Sequence, residues 1–184
     1  MDIGETLFDI IFNPKMALQN ISIYKPAAAA GLIVFLTTYL ASLIVMLPSE
    51  FFQGNLIATL TFGFSAALLR LIGVIIISTF LFLVAKLLRG QGSFLGLFSG
   101  LGFAHFLLAF LAFPELIREM WGWQFVASWL RGVVLIWFVI LAVIAIRESQ
   151  SFSTGKALIT VSLTITGLIF LSLFISFSFL GLFI

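Results

Sequence analysis

Cysteine is absent from the chain and histidine occurs once. Those two scarcities remove disulfides, thiolate nucleophiles, iron–sulfur clusters and zinc sites of the usual Cys/His kind, so no metal and no cofactor is expected. Charge is also scarce: Asp, Glu, Lys and Arg make up 9% of the 184 residues, against about 25% in a soluble domain that must cover a water-facing surface. Nine basic and seven acidic residues leave a net charge of +2, too small and too scattered for a nucleic-acid footprint, and nucleic acid is excluded as a partner. The start, Met1-Asp2-Ile3-Gly4-Glu5, is acidic where a signal peptide is basic, and Pro14 interrupts the region ahead of any long apolar run; the N-terminus is expected to be retained.

Apolar side chains fill the space that charge leaves: 62% of residues are hydrophobic and the mean hydropathy is +1.29. At roughly 20 apolar residues per membrane helix, five helices use nearly all of that supply. Five segments of that length are present, at about 27–47, 62–86, 94–114, 125–147 and 157–183, punctuated by Pro48, Arg89-Gly90-Gln91-Gly92, Pro114 and a Ser/Thr/Gly-rich turn at 149–155. The expected fold class is all-α, a polytopic integral membrane helical bundle over residues 26–184. Residues 1–25 read as two short interfacial amphipathic helices on the cytoplasmic side. Ile3, Leu7, Phe8, Ile10 and Ile11 oppose Asp2, Glu5 and Asp9 in the first. Asn13 as cap and Pro14 at the first helical position start the second, whose apolar side is Met16, Ala17, Ile21 and Ile23. Tyr24-Lys25-Pro26 closes it at headgroup level.

Basic residues of the short connections set the orientation. Lys15, Lys25, Lys86, Arg89, Arg147 and Lys156 collect on one side and only Arg118 on the other, which puts the N-terminus in the cytoplasm and the C-terminus outside. Trp121, Trp123 and Trp129 form an aromatic belt at the outer side. A faint repeat relates spans two and three to spans four and five: Arg70 and Arg131 stand equally far ahead of Lys86 and Arg147, and Arg89-x-x-x-Ser93-Phe94 is echoed by Arg147-x-x-x-Ser151-Phe152. Chance similarity of two outward-to-inward helices accounts for it equally well.

Ionisable groups inside a membrane are costly, so Arg70, Arg131 and His105 are the first candidates for function. Both arginines fall about 24 Å from the inner boundary, within snorkelling reach of outer lipid phosphates. The alternative to snorkelling, that they face other helices, draws on their small neighbours: Ala66 and Ala67 precede Arg70, and Ala127 and Ser128 precede Arg131. Counter-charges lie on the same side, and the expected polar cluster pairs Arg70 and Arg131 with Glu115 and Glu50, as a structural tie or a solute-binding vestibule. His105 falls near the midplane, where it is either a proton-relay or permeation group or a neutral imidazole bonded to a neighbouring helix. Gly96, Gly100 and Ala104 form a small-residue stripe that marks the third span as the tightly packed central helix.

Enzymatic templates are missing. Ser99 and His105 lie on one helix and point about 120° apart, so they cannot form a nucleophile–base pair within a monomer. No phosphate loop, no His-Glu-x-x-His and no paired intramembrane carboxylates occur, and the expectation is that the protein is not an enzyme.

The order of features resembles the Yip domain family, the Ypt/Rab-interacting membrane proteins and their prokaryotic relatives. The matching residues are Ile11-Phe12-Asn13-Pro14-Lys15-Met16-Ala17-Leu18, the run from Gly92 to Phe103 ending in Phe113-Pro114, and Ser153-Thr154-Gly155-Lys156-Ala157 ahead of the last span. The resemblance implies a non-enzymatic polytopic protein. Eukaryotic members are linked to Rab-type GTPases, often through a long cytosolic N-terminal region. Only about 25 residues precede the first span here, so that activity is not carried over, and the short form is similar to the prokaryotic plasma-membrane branch. The expected role is association with membrane lipids, another membrane protein or a second copy of itself; the alternative is a small-solute or ion transporter with the Arg/Glu cluster as its mouth.

Overall fold

The computed structural model describes residues 2–46 and 55–180, with side chains as far as residue 173. Among them there is no strand. The helices are α1 (Ile3–Phe12), α2 (Pro14–Tyr24), α3 (Ala27–Met46), α4 (Leu56–Leu87), α5 (Phe94–Ala104), α6 (Ala112–Trp121), α7 (Gln124–Gln150) and α8 (Thr154–Leu180), with a 3-10 segment, His105–Leu111, joining α5 to α6. Five of these stretches are long and apolar enough to cross a membrane: α3, α4, the continuous run Phe94–Trp121, α7 and α8. The protein is an all-α integral membrane bundle.

Two spans depart from their expected bounds. Helix α4 starts at Leu56 rather than near 62 and runs for 32 residues, about 48 Å at 1.5 Å per residue. Asn55 sets the earlier start, its side chain accepting from the Ala58 N–H at 3.0 Å. The third span does not end at Pro114 but continues through it to Trp121. Pro114 lacks the N–H that would bond the Phe110 carbonyl and its ring crowds that carbonyl, and the tightened 3-10 turns lie directly upstream. His105 is the first residue of that segment, at the point where the regular helix of α5 gives way.

The third span is the axis of the bundle. Two thirds of its most apolar stretch (67%) is buried, against 11–22% for the other four. Its small residues permit this: Gly96 meets the Ser22 backbone of α2, Gly100 meets Ala145 of α7, and Ala104 is fully buried. Gly102 has the least room, since a Cβ there would stand 2.8 Å from the Ala30 Cβ and 3.0 Å from the Ala30 carbonyl oxygen on α3. Ala67 and Ala127 are buried as contact residues, while Ala66 is half-buried at a cavity wall. Ser128 is exposed and donates to the Gln124 carbonyl of its own helix, so it makes no helix–helix contact of the kind its position suggested.

The N-terminal helices are two-sided, not purely interfacial. Ile10, Ala17, Leu18 and Ile21 are buried in the core, where α2 packs on α5 and α7. Ile3, Phe8, Phe12, Met16, Ile23 and Tyr24 stay exposed. The second apolar stripe was hidden in the sequence because both faces draw on the same residue types. Asp2 caps α1 through the Gly4 N–H at 2.8 Å. Asn13 occupies the cap position of α2 with Pro14 behind it but makes no side-chain cap bond; its backbone N–H instead closes α1 on the Asp9 carbonyl.

Lys86, Arg89, Arg147 and Lys156 flank two turns at one end of the bundle, the basic end, and these turns lock together. The Gln91 N–H donates to the Gln150 carbonyl at 3.2 Å, and the Gln150 amide reaches the Ser93 carbonyl at 3.5 Å. Lys86 Nζ closes its own turn on the carbonyls of Gly90 and Gly92. A Cβ on Gly92 would fall on the Ser149 carbonyl oxygen, which makes glycine obligatory at this crossing. The repeat does not carry over to the turns: the left-handed residues are Arg89 and Ser151, and the serines accepting from the first turns of α5 and α8 are Ser93 and Ser153, out of the register that pairs Ser93 with Ser151.

Candidate functional site

Arg70 stands mid-way along α4, whose other side chains around it are apolar. A guanidinium there must find an acceptor inside the bundle or reach for lipid, and it finds one. Its Nε donates to Nε2 of His105 at 3.0 Å. An imidazole nitrogen that accepts from a permanently charged guanidinium carries no proton, so the ring is neutral with its hydrogen on Nδ1. His105 is 4% exposed and meets the Phe138 ring of α7 edge-on, with centroids 5.9 Å apart. The 3-10 segment therefore presents one ring that ties α4 to the third span and rests on α7. His105 thus bonds a neighbouring helix, and its partner is a residue expected to pair with an acid.

Arg131 takes the acid. Its Nη2 pairs with Glu115, whose other carboxylate oxygen meets Arg118 Nη2 at 3.0 Å, and Arg118 also pairs with Glu119 at 2.8 Å. Four charges thus alternate along the tryptophan end of the third span and the start of α7. Glu115 is the most enclosed of them, its side chain 18% exposed against 45% for Arg131. The expected Arg131–Glu115 pair is formed. Arg70 meets His105 and, among the described residues, no carboxylate; Glu50 lies outside the described residues.

Between α3, α4, the third span, α7 and α8 the bundle leaves an open-sided cavity of about 920 Å³. That volume lies at the upper end of ligand pockets, roughly 300–1,000 Å³. Leu81, Leu101, Ile146 and Val161 line its basic-end half, and Arg70, His105 and Glu115 line it together with Thr38, Ser42 and Thr164. Leu69, Ile77, Val139 and Ile165 line it and are also exposed, so its mouth is bordered by hydrocarbon. Two of its polar lining residues keep unpaired groups among the described residues. Arg70 makes no bond through Nη1 or Nη2 among the described residues. Thr164 is 4% exposed and its Oγ1 has no partner. Threonines 37, 61, 79 and 160 each return their hydroxyl to a carbonyl one turn back, so Thr164 stands apart.

Sequence reasoning singled out Arg70, His105 and Glu115 but not the cavity that gathers them. Arg70 and His105 are 35 positions apart with no motif joining them. Thr164 gave no signal, since a threonine in an apolar helix is ordinarily satisfied by its own backbone. Ser99 is fully buried with an unpartnered hydroxyl, and the Nε2 of His105 is engaged by Arg70, so the two do not form a nucleophile–base pair. Among the described residues no three His, Asp or Glu side chains gather to hold a metal ion. The family model for the Yip1 domain matches residues 8–177. No curated protein and no solved structure matches the chain.

Proposed function

The chain belongs to the Yip1 domain family, and from that premise we propose a non-enzymatic membrane protein that acts by association with lipids or other membrane proteins, in a membrane-organising role related to trafficking. We place its N-terminus in the cytoplasm and its C-terminus outside a prokaryotic plasma membrane, on the gathering of basic residues at one end. The observation that carries the functional reading is the commitment of the intramembrane charges to one another. Glu115 is shared by two arginines and His105 accepts from a third, which leaves no free acid–base pair among the described residues that line the cavity. Among the described residues the one ionic group with spare donors there is a guanidinium, which binds anions but does not exchange protons.

The outward apolar side chains of α1 and α2, beside Lys15 and Lys25, give the reading a second support as a surface for lipid or partner. A conduit finds less support, because below Leu81 and Ile146 the basic end is filled by Ala85, Leu97, Ala145 and the interlocked turns. Native mass spectrometry of the protein released gently from its own membrane tests the proposal. A stoichiometric second protein or a retained specific lipid is the expected result. A bare oligomer that reproducibly takes up a small solute would replace this reading with a transporter.

A further inference from the structure

We infer that the cavity between α3, α4, the third span, α7 and α8 is a binding site for one anionic phospholipid of the surrounding bilayer, its phosphate held by the free Nη1 and Nη2 of Arg70 and one acyl chain lying along α4 toward Leu81. Three features converge on that ligand class. The first is charge. Arg70 offers two spare donors in a fork that matches a phosphate, and Glu115, the one carboxylate among the described residues that line the cavity, is already paired with Arg118 and Arg131 and does not neutralise it.

The second is length. From Arg70 to Leu81, α4 rises about 16 Å, close to half of the ~30 Å hydrocarbon thickness that a single acyl chain spans. The wall over that rise is Gly73, Val74, Ile77 and Leu81, faced by Leu101 and Ile146. The third is access. The mouth is bordered by exposed Leu69, Ile77, Val139 and Ile165, so the cavity is open to hydrocarbon, and a lipid can slide in from its own leaflet without crossing water.

The inference rests on the association reading and can fail separately from it. The test is photolabelling of the whole protein in phosphatidylcholine vesicles that contain a diazirine-tagged phosphatidylglycerol, with adducts located by mass spectrometry. Adducts are expected on the stretches 73–81 of α4 and 139–146 of α7, competed by untagged phosphatidylglycerol and not by phosphatidylcholine. Arg70→Gln is expected to reduce them roughly tenfold, the value of a hydrogen-bonded charge, with Arg70→Lys between. Gly73→Phe supplies a test that leaves the charge alone. A Cβ at Gly73 meets no atom within 4 Å, so the ring grows into the cavity, and the adducts should vanish while the thermal midpoint is kept.

Adducts confined to lipid-facing positions would overturn the assignment. So would equal labelling by a tagged phosphatidylcholine, labelling by tagged palmitate alone, or indifference to both variants. A stoichiometric protein partner found by native mass spectrometry, with no cavity adducts, would overturn the lipid site and leave the association reading standing.

Discussion

Arg70 and His105 are joined by a 3.0 Å hydrogen bond between Nε and Nε2, and through it the mid-points of α4 and the third span are fixed at one depth. Removing the acceptor takes from Arg70, an exposed residue of a membrane-spanning helix, its one hydrogen-bond partner among the described residues. His105→Phe is therefore expected to lower stability by about 1–3 kcal/mol, read as a fall in the thermal midpoint in detergent. His105→Gln, which restores an acceptor, should recover part of it. In an Arg70→Leu background the same His105→Phe change should cost much less, and equal costs in both backgrounds would show that the bond carries no energy.

Glu115 is shared between Arg118 and Arg131, so each arginine covers for the loss of the other. Arg118→Ala and Arg131→Ala are each expected to cost less than about 1 kcal/mol, because both pairs are open to solvent on one side. The double variant should cost more than the sum, since Glu115 then has no cation. Additive losses in chemical denaturation would mean that the two pairs act independently.

Two glycines make opposite predictions. Gly92→Ala places a methyl on the Ser149 carbonyl and must push the two basic-end turns apart, breaking the Gln91–Gln150 bond; loss of folded protein on expression is the expected outcome. Gly73→Ala meets open space within a helix and should stabilise by about 0.5–1 kcal/mol. Thermal unfolding of the two variants side by side decides the matter.

Because the chain contains no cysteine, single introduced thiols report cleanly on both packing and orientation. A thiol at Ala104, which is fully buried, should stay unreactive to a membrane-impermeant maleimide from either side, and labelling there would favour a water-filled conduit. Exposed positions Gln124 and Gln91 lie at opposite ends of the bundle. With the N-terminus cytoplasmic, Gln124→Cys should label in intact cells and Gln91→Cys only after permeabilisation; the reverse pattern would invert the topology.

The membrane character, the five spans, the all-α class and the central place of the third span were determined by the sequence itself. Each follows from local quantities: the supply of apolar residues, the ~20-residue length a bilayer imposes, and runs of glycine and alanine that let helices approach. Turn chemistry was equally local, and Asn13-Pro14 and the glycines at 90 and 92 stand where breaks occur. Only the tertiary structure decided which charges meet. Arg70 and Arg131 look alike in the sequence, each behind a pair of small residues, yet one takes a histidine and the other a glutamate. The difference is one of packing: His105, at the start of the 3-10 segment, meets Arg70 of α4, while Glu115, ten residues further on, meets Arg131 of α7. The splitting of the α1–α2 apolar surface into an inward and an outward face, and the cavity between five helices, were likewise settled by how helices distant in sequence pack, which no pattern along a single helix encodes.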